Sequence, residues 1–222
     1  MSIRNHINFR TEEYTLKELA YGDCVYAWLL LHSYYNPEEK HNYIYKEDIN
    51  FTKIGAQMHR SRQTISKRFN DLINKDIIRQ YKYNGKTCYK IPYYSEFEEL
   101  DGETTFQLLC LPLKEQKEEL IKTYAILLKK KRAMEKEGKK LFYCSAEQLI
   151  KECGKTATHA STYERMRGIL TLLQGAGIIK FRTILAQQNS KGEWVGPQME
   201  VYEVNKRANE EWLGIKENKN NS

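Results

Sequence analysis

Between Ile65 and Tyr89 the spacing of apolar residues changes from helical to strand-like, and the rest of the chain is read around that change. Ile65, Phe69, Leu72 and Ile73 recur at i, i+4, i+7 and i+8, one apolar stripe of an amphipathic helix. At about 100° per residue, Gln63, Lys67, Asn70 and Asn74 fall on the opposite side. Ser61 is a good N-cap, because its hydroxyl can accept a hydrogen bond from a free N–H of the first turn. A shorter helix pattern starts near Asn50, and a polar turn joins the two. Residues 77–82 and 87–92 are β-prone runs containing Tyr81 and Tyr89, with Tyr83 just past the first. Asn84-Gly85 lies between them, a strong two-residue hairpin signal, since both turn positions need positive φ.

Helix, turn, helix and ribbon without spacers is the order of a winged helix-turn-helix module. The remaining pattern supplies its surroundings. Residues 1–15 read as a loosely structured arm. Residues 16–35 (LKELAYGDCVYAWLLLHSYY) read as a helix, at least from Gly22, with Val25, Trp28, Leu29 and His32 inward and Asn36-Pro37 as its stop. Residues 42–45 (NYIY) are a first strand. Residues 94–105 form an acidic connector, and 106–113 (FQLLCLPL) a strand or buried extended segment. From Lys114 a long helix carries Leu120, Ile121, Tyr124, Leu127 and Leu128 on its apolar side and ends in the basic stretch 129–132.

The second half repeats the first. Tyr26-Ala27 matches Tyr124-Ala125, residues 43–45 match 141–143, and FNDLINKDIIRQY from Phe69 parallels ILTLLQGAGIIKF from Ile169. Ser145-x-x-Gln148 is a capping box opening a helix through Cys153, which Gly154 ends. After the longer turn KTATHA, Ser161-x-x-Glu164 reads as another capping box, with Met166, Ile169, Leu170 and Leu173 inward. Ser161, Glu164, Gly168 and Thr171 face outward, flanked by Arg165 and Arg167. Residues 178–186 and 199–204 form a longer wing with Lys191 and Trp194 at its tip. Residues 206–222 read as a short charged helix with Trp212 and Leu213, then a polar tail. The fold class is therefore mainly α with small β wings (α+β): one winged-helix domain over residues 1–93, the connector 94–105, a second over 106–205, and the tail.

With 222 residues and 41% hydrophobic content, the chain can supply two cores. Mean hydropathy of −0.72 and the lack of any apolar run near ~18 residues exclude a spanning helix. With no apolar leader at the start, a cytoplasmic protein is expected. Five scattered cysteines without a C-x-x-C pair read as reduced, mostly buried thiols. The net charge of +7 is unevenly placed. Residues 60–90 hold nine basic side chains against two acidic, 114–140 ten against five and 155–191 six against one, whereas 91–113 has five acids and no base. Cations gathered on recognition segments are the footprint of a nucleic-acid binder.

Catalytic readings fail one by one. Gly154-Lys155-Thr156 would need a glycine at 149 to close a phosphate-binding loop, and that residue is Leu149. Gly175-Ala176-Gly177 follows a helix, so it is no dinucleotide fingerprint. The histidines form no metal-spaced cluster. The chain reads as no enzyme, with no cofactor and no metal. The side-chain types on the predicted helix are those that bond guanine or adenine edges in the major groove. Arg60, Arg62, Gln63, Ser66, Lys67 and Asn70 are the candidate groove contacts, with Lys82 and Lys86 on phosphates. The second module offers Lys155, Thr158, Ser161, Arg165 and Arg167.

Three segments, LKELAYGDCVYAWLLL, SRQTISKRFNDLINKDIIRQY and YCSAEQLIKEC…STYERMRGILTLLQGAGII, together resemble the tandem winged-helix replication initiators of plasmids and phages, over most of residues 16–204. The resemblance implies binding to repeated double-stranded sites at an origin, dimerisation through one winged helix, and recruitment of host replication proteins. The compact length and the enlarged second turn depart from the larger initiators. A transcriptional regulator or partition protein of a mobile element is the alternative with the same modules.

Overall fold

The structure, a computed structural model, describes residues 6–9, 23–91, 98–113, 117–184, 187–188, 192, 194–195 and 198–213. It is mixed α and β, with seven α-helices and small antiparallel sheets among the described residues. The chain divides into two compact units, residues 1–121 and 122–222.

In the first unit, β1 (His6–Phe9) pairs antiparallel with β6 (Glu98–Asp101), Ile7 opposite the buried Leu100. Part of the expected arm is therefore a strand, and its partner lies in the expected acidic connector. Within the acidic segment Leu100 is fully buried, in the strand that pairs with β1. Residues 1–5, 10–15 and 92–97 lie outside the described residues. Helix α1 (Asp23–Leu31) is buried from Cys24 onward on every side, wider than the single stripe expected; residues 16–22 of the predicted helix lie outside the described residues. Trp28 donates from Nε1 to Gln57 Oε1 at 3.1 Å and stacks on His32 at 3.9 Å.

Strands β2 (Tyr34–Asn36) and β3 (His41–Tyr45) follow, then a 3-10 turn at Lys46–Asp48, α2 (Phe51–Gln57), α3 (Arg62–Asn74), β4 (Arg79–Tyr83) and β5 (Lys86–Ile91). The sheet order is β2-β3-β5-β4, all antiparallel. The expected turn closes the β4–β5 hairpin, with Asn84 at φ 49° and Gly85 at φ 75°. One sheet face carries Ile44, Tyr89 and Ile91 into the core, where Phe69 meets Tyr89 edge-on at 4.9 Å. The other carries an array of rings, His41, Tyr43, Tyr45, Tyr81 and Tyr83, and Tyr81 Oη lies 3.1 Å from His41 Nε2. Burial among those rings pushes the Tyr43 phenol up to about 12.

Residues 106–113 are neither strand nor extended up to Cys110. They are the second half of α4 (Gly102–Cys110), which packs in the first unit. Asp101 accepts from Thr104 N at 2.8 Å and caps it, so the inward side is Thr104, Thr105, Leu108 and Leu109. The cap thus stands five residues before Phe106, where the apolar run begins.

Helix α5 (Lys117–Lys136) continues a turn past the basic stretch read as its end. Lys130 pairs with Glu152 at 2.5 Å and Lys131 with Glu135 at 3.5 Å, so carboxylates offset charge that a helix end was expected to take. Its residues 120–128 are buried all round. Polar members there are satisfied: Lys122 Nζ donates to the Cys153 carbonyl at 2.7 Å, and the Tyr124 hydroxyl to the carbonyl of Lys206. The second unit continues with β7 (Cys144–Ser145), α6 (Ala146–Glu152), α7 (Ala160–Gly175), β8 (Ile179–Ile184), β9 (Gln187–Gln188), β10 (Trp194–Val195) and β11 (Gln198–Val204). Sheet order is β7-β11-β8, and β9 pairs with β10. Trp194 lies in β10, and Lys191 lies outside the described residues.

Both hydrogen bonds of the Ser145–Gln148 capping box are present. The Ser161–Glu164 box is not. The N-cap is His159, without a side-chain cap bond, and Glu164 instead lies 3.6 Å from Arg167. The cap position needs extended backbone, which His159 has at φ −102° and ψ 134°, whereas Ser161 lies inside the first turn. Residues 206–213 form turns rather than a helix: Asn209 N bonds the Ala176 carbonyl at 2.9 Å, and Asn209 Oδ1 accepts from Trp212 N at 2.8 Å. Residues 214–222 lie outside the described residues. The five cysteines are free thiols, and four are buried. No helix among the described residues is long and apolar enough to cross a membrane.

Each unit thus contains a run of strand, helix, turn, helix and two sheet strands in the same order, with the short β9–β10 pair inserted in the second, and the strand before the helices pairs with the later sheet strand: β3 with β5, β7 with β11. The long helices also end alike. Ile77 N bonds the Leu72 carbonyl at 2.9 Å around Asp76 (φ 56°), and Ile178 N the Leu173 carbonyl at 3.0 Å around Gly177 (φ 71°). This sets Asp76 against Gly177, one residue away from the register in which Phe69 faces Ile169.

Candidate nucleic-acid interface

Helix α3 is fixed at three points. At its start Ser61 Oγ accepts from Thr64 N at 3.1 Å. Before it, residues 58–61 turn tightly, with Arg60 N bonded to the Gly55 carbonyl at 2.8 Å. A Cβ on Gly55 would lie 2.6 Å from the Arg60 carbonyl oxygen, so only glycine lets the turn close there. Beneath it Ile65, Phe69 and Leu72 are buried, Phe69 between Phe51 at 5.2 Å and Tyr89.

That anchoring leaves Arg62, Gln63, Lys67 and Asn70 exposed and Ser66 half-buried, all on the solvent side. With Ser61 and Asp71 they line one shallow, open depression along the helix. Six of these seven positions are polar and uncharged or basic. Asp71 went unnoticed in the sequence, although its place four residues after Lys67 puts it in the same row. Asn74, also expected outward, is exposed but does not line the depression.

Arg60 departs from the expected set. It is half-buried, and its Nε and Nη2 are closed off from solvent. It belongs to the tight turn and not to the exposed face. The two hairpin lysines also part company. Lys82 pairs across to Thr87 and shares a sheet side with Gln80 and Tyr89, the side on which α3 packs. Lys86 pairs to Tyr83 on the ring-bearing side, 5.3 Å from the Tyr45 ring centroid, and holds Glu47 at 2.6 Å. The Glu47 carboxylate raises the Lys86 pKa. Alternation in a strand separates residues 82 and 86 across a two-residue turn, a consequence the sequence already contained.

In the second unit Lys155, Thr158, Ser161 and Arg167 are exposed and Arg165 is half-buried. Lys155 and Thr158 lie in the connection 153–159, apart from the helix face. Arg167 and Glu164 instead wall a cleft with Tyr143, Glu147, Tyr163 and Gln198. Beside it Glu200 is buried, bonded by the Tyr143 hydroxyl at 2.7 Å and by Arg182 Nη2 at 3.2 Å. The outer side of α7 is therefore a charge-balanced wall, unlike that of α3.

Among the described residues no group of His, Cys, Asp or Glu could hold a metal ion. No protein-family model matches the chain, and no curated protein is significantly similar to it.

Proposed function

We propose that the chain is a sequence-specific double-stranded DNA-binding protein built on two tandem winged helix-turn-helix modules, with α3 as the groove-entering helix and β4–β5 as its wing. The observation that carries this reading is the sidedness of α3. Arg62, Gln63, Lys67 and Asn70 stand in solvent over a fully buried Ile65, Phe69 and Leu72. Arg pairs bidentately with guanine, and Gln and Asn with adenine, in the major groove. Lys82 sits on the same side and supplies a phosphate contact that fixes register without reading sequence. The resemblance to plasmid and phage replication initiators supports placing this activity at a replication origin. Cytoplasmic residence, a homodimer and host replication proteins as partners belong to the same proposal.

Selection of bound fragments from a random duplex pool tests the reading, because it yields a site and the spacing of its repeats. With about six phosphates neutralised, log K falls against log salt with a slope near −5. Lys82→Ala weakens all sequences alike and reduces that slope by about one. Lys86→Ala, already held by Glu47 on the far side, changes it less. Binding that ignores sequence, or no duplex bound at moderate salt, sinks the proposal. For the replication role, a plasmid carrying only the origin should replicate only when this protein is supplied. Independent replication together with repression of a nearby promoter gives the regulator instead.

A further inference from the structure

We infer that Asp71 is a specificity-determining residue of α3, accepting a hydrogen bond from the exocyclic amino group of a cytosine in the target duplex; this rests on the duplex-binding reading above. Helix α3 carries two parallel rows at four-residue steps, Arg62, Ser66, Asn70 and Gln63, Lys67, Asp71. Both rows line the one depression, so Asp71 is part of the surface that meets the groove. At 1.5 Å per residue each row covers about 12 Å. At about 3.4 Å per base pair, that is three to four pairs. The rows therefore end within one stretch of major groove.

The other members of the rows are donors or can both donate and accept. An ionised carboxylate only accepts. Cytosine presents its N4 amino group in the major groove without an adjacent acceptor on the same base, and a carboxylate is the side chain that accepts from it. Adenine offers N6 as well, but its neighbouring N7 acceptor faces a carboxylate unfavourably. Three exposed acids elsewhere in this unit are occupied: Glu47 by Lys86, Asp76 by Arg79, Glu39 by Lys90. Among the described residues no cation forms an ion pair with Asp71, although Lys67 and Lys75 stand one helical turn to either side. A carboxylate left facing a phosphate-lined groove lowers affinity for every duplex and regains it only where a base donor meets it.

The test compares base-preference profiles from random-pool selection for the wild type, Asp71→Ala and Asp71→Asn, together with affinity for a random duplex. The wild type should favour cytosine at one position by about tenfold. Asp71→Ala should lose that preference and bind random duplex more tightly. Asp71→Asn should shift the same position toward adenine, which an amide pairs bidentately. Thermal unfolding of each variant, expected unchanged at this half-exposed position, separates misfolding from altered reading. Tighter binding to all duplexes with an unaltered profile would show that Asp71 sets only background repulsion, and overturns the assignment. So does a variant that changes neither quantity. A wild type that binds no duplex at all removes the underlying reading instead.

Discussion

The two helix pairs share a plan and differ at the joint. In the first, residues 58–61 connect α2 to α3; in the second, the longer stretch 153–159 connects α6 to α7. Aligned on their N-caps, Asn50 and Ser145, position 55 is glycine and its counterpart is Ile150. At Gly55 the Arg60 carbonyl comes within the space a Cβ would fill. Ile150 is buried and branched at Cβ, so a carbonyl cannot come as close to it as the Arg60 carbonyl comes to Gly55. Helices α2 and α6 end with the same bond, Arg60 N to the Gly55 carbonyl and Lys155 N to the Ile150 carbonyl, so the two joints diverge only beyond it, where the Arg60 carbonyl closes on Gly55. The outer faces diverge in parallel: α3 shows an open polar surface, while on α7 Arg167 lies 3.6 Å from Glu164 in the wall of a cleft.

The comparison breaks most visibly at Gly55. Gly55→Ala sets a methyl against a backbone carbonyl that cannot rotate away, so unfolding in urea should show a loss of about 2–3 kcal/mol, typical of forced overpacking. Duplex affinity should fall with it, since α3 is positioned through this turn. A variant as stable as wild type would mean the turn has slack, and the contrast between the two joints would go.

Next in size is the contrast between the arginines. Arg62→Ala should cost about 1–3 kcal/mol on the selected site and relax preference at one base pair. Arg167→Ala, with Glu164 beside it, should cost less than about 0.5 kcal/mol. Equal losses on selected and random duplexes for Arg62→Ala, in an anisotropy titration, would refute its assignment to base reading.

Helix caps give a smaller difference. Ser61→Ala removes a hydroxyl bonded to Thr64 N and should destabilise by about 1 kcal/mol. His159→Ala removes no cap bond and should leave the unfolding midpoint within error.

How far these features could be read in advance depends on whether the signal was local. The stripe of Ile65, Phe69, Leu72 and Ile73, the Ser61 cap and the Asn84-Gly85 turn each depend on a few adjacent residues, and all stand in the structure, with Ile73 only half-buried at the stripe's edge. The β1–β6 pairing joins residues about ninety positions apart, and the buried Leu100 is hidden in an acidic segment. No periodicity announces such a contact. The cap of α7 was misplaced because Ser-x-x-Glu at 161–164 fits the motif as well as Ser-x-x-Gln at 145–148 does, and the motif alone does not say which turn is first. On the exposed side of α3, residue types pointed to Arg62, Gln63, Lys67 and Asn70. The inward turn of Arg60 belongs to the tight turn before α3, and the capture of Lys86 by Glu47 depends on a partner far along the chain.

The smallest effect bears on whether α7 meets DNA at all. Gly168 lies inside α7, and a Cβ built there meets nothing within 4 Å. Gly168→Ala should therefore stabilise the second unit by about 0.5–1 kcal/mol, since alanine loses less backbone freedom in a helix. If α7 stays clear of the duplex, affinity for the selected site should not change. A glycine kept so that backbone can approach phosphate behaves otherwise: the added methyl would raise the unfolding midpoint and yet weaken binding. That pair of results, read from thermal unfolding and anisotropy on one variant, would place both long helices on DNA and end the division of labour inferred from their outer faces.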